Sequence, residues 1–367
     1  MREPGMGKVT VVCGGERLSR GRARPGSLAT WLALMVLLLA PLAGCTARDM
    51  ATGDGATLES MDDGSGDGGG MGDAESQDTE TGEGGISAAV PGDGACCADG
   101  DCVCRGGEPS ETFATSEGPF ETSSYAMGFR DGPDFLGATI YYPTDAEPPL
   151  SGVVLCPGFT ALQNSIAGWG PFFASHGIVT MVIDTNTPLV PVSQRDDALL
   201  DALASLKAEN TRMDSPLFDQ LSADRFGLGG WSMGGGGTWL ATQAHPELKT
   251  GMTLAGHHAT AGGSATVAKG IEVPTILFAG AMDTNILGGG QQSQQAYAEI
   301  PETTPKILYE FGSAGHFAFG TPLRTGEGAL GRYGLAFQKV FLEGDERYRQ
   351  LILDPGPDVS DWMSNVE

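Results

Sequence analysis

Gly230-Trp231-Ser232-Met233-Gly234 reads G-x-S-x-G, and its flanks decide what that means. Before it stands Arg225-Phe226-Gly227-Leu228-Gly229, a short, largely apolar run of the kind that forms a buried strand. After it, Thr238-Trp239-Leu240-Ala241-Thr242-Gln243-Ala244 reads as a helix. Strand, sharp turn and helix in that order make a nucleophile elbow. The turn holds its central residue under backbone strain, so its neighbours must be glycine or very small. The serine hydroxyl is thereby presented at the strand end, where a helix N-terminus favours developing negative charge. Without those flanks G-x-S-x-G is a common chance match for a glycine-rich turn.

Outward from the elbow, strand-like and helix-like runs alternate. Strands are expected over 138–142, 152–155, 178–183, 226–229, 251–254, 274–279 and 306–311. Helical patterns lie over 161–175, 194–206, 232–244, 291–298 and 328–342. This alternation predicts an α/β fold, a mostly parallel central sheet with helices on both faces. Binding sites in such sheets sit at the carboxyl ends of the strands, the end at which the elbow falls.

A serine hydroxyl is a weak nucleophile until a base takes its proton, and the base needs a carboxylate to hold its tautomer. In the α/β-hydrolase arrangement the chain order is Ser, acid, His. His245 falls at the end of the elbow helix and is expected to point away from the strand ends. His316, in Gly312-Ser313-Ala314-Gly315-His316-Phe317, follows the strand over 306–311. Asp283, in Phe278-Ala279-Gly280-Ala281-Met282-Asp283, directly follows another. Taken singly, Asp283 reads as a turn cap and His316 as a loop residue; together and in order they read as a triad with Ser232. An oxyanion also needs donors. One is the N–H of Met233, after the nucleophile, and the second the N–H of Phe159 in Cys156-Pro157-Gly158-Phe159-Thr160. Phe159, Trp231 and Phe317 would flank an open cleft suited to short or medium acyl groups. No metal or organic cofactor is required for this chemistry.

The N-terminus carries different information. Arg17, Arg20, Arg22 and Arg24 precede an apolar run that ends in Leu42-Ala43-Gly44-Cys45. Basic, apolar and then small residues make an export signal over 1–44. Its ending resembles a bacterial lipobox, with Cys45 as the lipidated residue. The expected location is therefore outside the cytoplasm, lipid-anchored to the cell envelope. Residues 45–95 are rich in Gly, Ser and Asp and read as a disordered acidic tether. Cys96, Cys97, Cys102 and Cys104 then fall within nine residues, in a segment taken as 96–111 before a catalytic domain over 112–367. In an exported chain they form two disulfides, with three pairings open, and the spacing is unlike that of a zinc ribbon. Cys156, within an apolar run, is expected as a buried free thiol. A net charge of −25 argues against nucleic acid and against docking onto anionic headgroups. A monomer with an ester substrate is expected.

Five stretches carry a resemblance: Pro157-Gly158-Phe159-Thr160, Ala174-Ser175-His176-Gly177, Ile183-Asp184-Thr185-Asn186, Arg347-Tyr348, and the elbow extended through Gly235-Gly236-Gly237. They resemble the bacterial cutinase and polyester hydrolase family, which includes the poly(ethylene terephthalate) hydrolases and related lipases. The similarity runs over nearly all of 115–350. It implies Ser232 as nucleophile, Asp283 as acid, His316 as base, and Phe159 and Met233 as oxyanion donors. It also makes Phe159 and Trp231 walls of the acyl pocket. Where the family carries a stacking Trp this chain has His257, with His258 beside it, so hydrogen bonding replaces stacking area. Asn285 stands where the family is often apolar, with Ile286 next to it, and no cysteine follows Cys156 to form the usual C-terminal disulfide.

These readings converge on a serine-dependent carboxylic ester hydrolase acting through an acyl-enzyme, with polyesters as a candidate class. Two rivals use the same fold: a lipase or phospholipid acyl hydrolase, and a catalytically silent surface binding protein. An intact Ser, Asp and His set argues against the silent protein.

Overall fold

The computed structural model describes Cys96 and residues 102–126, 133–258, 267–284 and 289–367. The export signal, Cys45, the acidic tether, Cys97, Asn285 and Ile286 lie outside these residues. Among the described residues nine strands form one sheet. They are β1 (Thr122–Tyr125), β2 (Phe135–Pro143), β3 (Leu150–Cys156), β4 (Val179–Thr185), β5 (Leu221–Trp231), β6 (Thr250–Leu254), β7 (Thr275–Gly280), β8 (Lys306–Phe311) and β9 (Val359–Ser364). Their order is β1-β2-β4-β3-β5-β6-β7-β8-β9. From β4 through β8 all neighbours are parallel, while β1, β2 and β9 pair antiparallel.

The expected strands are all present, and β1 and β9 are additions. Both are edge strands with no fully buried position. An edge strand is recruited by ladder hydrogen bonds rather than by an apolar run, so Thr122-Ser123-Ser124-Tyr125 gave no strand signal. The central strands are the opposite case: β3 is buried at every position. Its side chains alternate between two cores. Val154 and Cys156 pack with Leu199, Leu206 and Trp239, whereas Val153 and Leu155 pack with Trp169, Phe173 and Phe337. Helices therefore cover both faces. On one lie α3 (Arg195–Glu209), α4 (Met233–Ala244) and α5 (Gly289–Glu299); on the other lie α2 (Trp169–Ser175) and α6 (Ala329–Phe341). Two short helices, α1 (Glu111–Ala114) and α7 (Arg349–Leu353), complete the described set.

One expected helix is shorter than its pattern. The run over 161–175 turns helical only at Trp169, after a single 3-10 turn at Gln163–Ser165. Gln163 explains the delay: its backbone N–H and Nε2 donate to the two carboxylate oxygens of Asp184, at 2.7 and 2.8 Å. That bidentate grip ties the segment to the end of β4 instead of to its own helical ladder.

The cysteine segment is bonded to the sheet domain. Cys96 and Cys104 form a disulfide, one of the pairings the spacing left open. Cys102 Sγ lies 3.6 Å from the Cys96 sulfur and 3.3 Å from that of Cys104. The N–H of Val103 donates to Glu343 O at 2.7 Å, and that of Glu346 to Cys96 O at 2.9 Å. Beneath them Lys339 and Glu343, both buried, pair at 2.6 Å, and Ser151 Oγ donates to the same carboxylate at 2.6 Å. Burying this pair is tolerable because each charged group is also hydrogen-bonded. No helix among the described residues is long and apolar enough to cross a membrane.

Candidate active site

The elbow begins where β5 ends. Ser232 has φ 55° and ψ −120°, a conformation that L-residues rarely adopt, and α4 starts at the next residue. Strain of this kind costs about 1–3 kcal/mol and persists only where the surroundings over-determine it. Here they do. The N–H of Ser232 donates to Leu254 O at 2.9 Å, and its carbonyl accepts from Gly236 N and His257 N at 3.1 and 2.8 Å. The flanking glycines are required by close approach. A Cβ on Gly230 would sit 2.4 Å from the carbonyl of Gly234, and one on Gly234 would sit 2.1 Å from Cys156 O.

The strand order brings three distant residues to one end of the sheet. Asp283 stands in the tight turn after β7, its N–H donating to Gly280 O at 3.0 Å. His316 opens the 3-10 segment His316–Gly320 after β8. His316 Nε2 lies 2.8 Å from Ser232 Oγ, and His316 Nδ1 lies 2.8 Å from Asp283 Oδ2. All three are nearly enclosed, at 5–6% exposure. Asp283 Oδ1 is buried, with no hydrogen-bond partner among the described residues. His245, by contrast, sits on the surface paired with Glu247 at 2.9 Å and takes no part in this cluster.

The loop after β3 closes the other side. Gly158 approaches so near that a Cβ there would meet Ser232 Cβ at 2.9 Å. Among the described residues the N–H groups of Phe159 and Met233 are taken by no protein acceptor. Trp231 is buried, and its ring packs on His316 and Phe317 with centroids 5.2 and 5.5 Å apart. Phe159 and Phe317 are exposed at the rim, and so are Leu162, Leu189 and Met282. These last three escaped the sequence reading, because an exposed apolar residue in a loop has no local signature. Their common position after β3, β4 and β7 emerges only from the topology.

His257 follows β6 and is 3% exposed, and among the described residues both ring nitrogens lack hydrogen-bond partners. Burial, aided by the neighbouring His316 and His258, pushes its pKa down to about 4, so the ring is neutral at physiological pH. His258 is held low by burial as well, and its N–H donates to Gln292 Oε1 at 2.7 Å. Cys156 is a buried free thiol, as its apolar run predicted, and burial pushes its pKa up to about 11.

Comparison with known proteins gives the family. The family model described as PET hydrolase-like matches residues 97–366. Cutinase est1 of Thermobifida alba is 34% identical over 254 residues, covering 69% of this chain and 81% of its own length. The bis(hydroxyethyl) terephthalate hydrolase of Streptomyces coelicolor is 32% identical over 269 residues, covering 73% and 82%. A cutinase of Thermobifida fusca is 32% identical over 254 residues, covering 69% and 79%. On the family match and the α/β-hydrolase sheet together, the chain belongs to the PET hydrolase-like family and is a carboxylic ester hydrolase.

Proposed function

We propose that this protein hydrolyses esters through a covalent acyl-serine. Ser232 is the nucleophile, His316 the general base and then the general acid, and Asp283 the group that holds the imidazole. The observation that carries this reading is the continuous relay from Ser232 Oγ through His316 to Asp283, with two 2.8 Å contacts, on a serine held at φ 55°. The serine O–H donates to Nε2 while Nδ1–H donates to the carboxylate, so the neutral imidazole has the tautomer that accepts a proton. Attack on the carbonyl carbon moves that proton to His316, and the oxyanion is received by the N–H groups of Phe159 and Met233. Collapse expels the alcohol, protonated by His316, and water activated by the same base releases the acid.

The rim supports an apolar, poorly soluble substrate. Five exposed apolar side chains, Phe159, Leu162, Leu189, Met282 and Phe317, stand at the end of the sheet that carries the relay. We assign short to medium acyl esters and polyesters as the substrate class; His257, expected to meet substrate, is nearly enclosed and would have to move to do so. The N-terminal sequence supports export and lipid attachment at Cys45. The test is hydrolysis of p-nitrophenyl butyrate by the full-length protein beside its Ser232→Ala variant. The reading expects a loss of about 10³-fold or more, and a loss below about tenfold would sink it. A fluorophosphonate probe that labels the parent but not the variant separates this reading from a silent binding protein.

A further inference from the structure

Arg195 stands in an unfavourable place for a cation. It is the first residue of α3, where the helix dipole disfavours a cation. Its side chain is fully buried, and among the described residues no carboxylate lies within salt-bridge distance of it. A buried guanidinium without a counter-charge is costly and is retained only when the tertiary structure requires it.

What it touches supplies the reason. Nη1 donates to the carbonyl of Pro157 at 2.8 Å, and Nη2 donates to the carbonyl of Pro188 at 3.1 Å. The same Pro188 carbonyl accepts the N–H of Thr160 at 2.8 Å. One planar guanidinium therefore brackets the segment Pro157-Gly158-Phe159-Thr160 from both sides. It holds the carbonyl two residues before the Phe159 N–H directly, and the N–H after it through a shared acceptor. The segment needs holding, because Thr160 sits at φ 61°, outside the range β-branched residues favour. The clamp is also packed against the elbow: a Cβ on Gly237 would meet Arg195 Cβ at 2.7 Å, and the Pro157 carbonyl faces Gly234.

We propose that Arg195 is the positioning residue of the oxyanion loop, fixing the Phe159 N–H toward the carbonyl oxygen that becomes negative during attack. It acts through Phe159 and touches no substrate atom. The inference rests on the reading of Ser232 as nucleophile and Phe159 as oxyanion donor. Displacing a donor by a fraction of an ångström weakens it in the transition state more than in the ground state. The loss therefore belongs in kcat and not in KM.

The experiment compares full-length protein with Arg195→Gln, Arg195→Lys and Ser232→Ala. It measures kcat and KM on p-nitrophenyl butyrate, inhibition by a trifluoromethyl ketone that forms a hemiketal oxyanion, and the unfolding midpoint. We expect Arg195→Gln to lower kcat about 10- to 100-fold, with KM changed less than about threefold, since removing a whole donor costs about 10²–10³. Ketone affinity should fall by a similar factor. Arg195→Lys keeps the charge and the stem but cannot grip two carbonyls, and should lie between. A folded Arg195→Gln with kcat within about twofold of the parent, or a loss found wholly in KM, overturns the proposal. If Arg195→Gln does not fold, Arg195→Lys decides. A kcat reduced about threefold or more at constant KM supports the clamp, and an unchanged kcat refutes it. Retained activity in Ser232→Ala would instead mean that the reading of the site itself is wrong, whatever Arg195 does.

Discussion

The indole N–H of Trp231 donates to the main-chain oxygen of His316 at 2.8 Å, so the residue before Ser232 anchors the loop that carries its hydrogen-bonded imidazole. The same indole packs on the His316 ring, with centroids 5.2 Å apart. Trp231→Phe keeps an aromatic ring there and removes the donor, a lost hydrogen bond worth about 0.5–1.5 kcal/mol. We expect kcat on a p-nitrophenyl ester to fall roughly tenfold, with the unfolding midpoint only modestly lowered. Kinetics within twofold of the parent would show that the anchor is dispensable.

Two glycines, Gly234 and Gly315, should respond oppositely to alanine. At Gly234 the added Cβ would lie 2.1 Å from Cys156 O, a backbone atom of the central strand that cannot move aside. At Gly315, beside His316, the added Cβ meets no other described residue within 4 Å apart from its chain neighbours, and its φ of −99° suits any residue. Gly234→Ala should cost about 3 kcal/mol or more and abolish activity. Gly315→Ala should leave activity intact and gain about 0.4–1 kcal/mol by restricting the unfolded chain. Denaturant unfolding of both variants gives the comparison.

Acid should destabilise the fold through two buried neutral histidines. Burial holds His176 down to about 3 and His257 down to about 4, whereas an unfolded histidine titrates near 6.5. Between those limits the unfolded chain binds more protons, so stability is fully present above about pH 6.5 and declines as pH falls toward 4. Near pH 5 unfolding should take up about two protons from this pair, read from the slope of stability against pH. His257→Gln should reduce that uptake to about one. A slope unchanged by the substitution would mean that His257 is already protonated in the folded state.

The Cys96–Cys104 bond closes a short loop that is hydrogen-bonded to Glu343 and Glu346. Closing a loop of this length is worth about 2–3 kcal/mol through the unfolded state. Cys96→Ser with Cys104→Ser should therefore lower the melting temperature by roughly 4–12 °C. Neither cysteine contacts the relay, so kcat at 25 °C should stay within about twofold. A large loss of kcat at unchanged stability would assign the cysteine segment a role at the site.

Much of the candidate site was legible because the proposed chemistry demands particular residues in a particular order. Ser232, Asp283 and His316 each follow an apolar run, and an α/β sheet sends all such positions to one end. Arg195 was illegible for the converse reason. A cation at a helix start has no local signature of burial, and its partners, Pro157 and Pro188, are main-chain carbonyls that any residue type supplies. His257 was legible as a departure from a family pattern, but not as a nearly enclosed ring. β1 and β9 escaped because an edge strand needs a neighbour's backbone more than it needs hydrophobic side chains of its own.

From the sequence alone followed the G-x-S-x-G turn, the run of parallel strands behind it and the three candidate residues Ser232, Asp283 and His316, since periodicity and residue chemistry are local properties. Only the tertiary structure decided the 2.8 Å contacts from His316 to Ser232 and Asp283, the pairing of Cys96 with Cys104, and the two-sided grip of Arg195 on the loop after β3. The His316 contacts and the grip on Pro157 join residues dozens of positions apart through close packing, and which of three cysteine pairings forms depends on the fold around them, so none of this geometry is written in a single stretch of the chain.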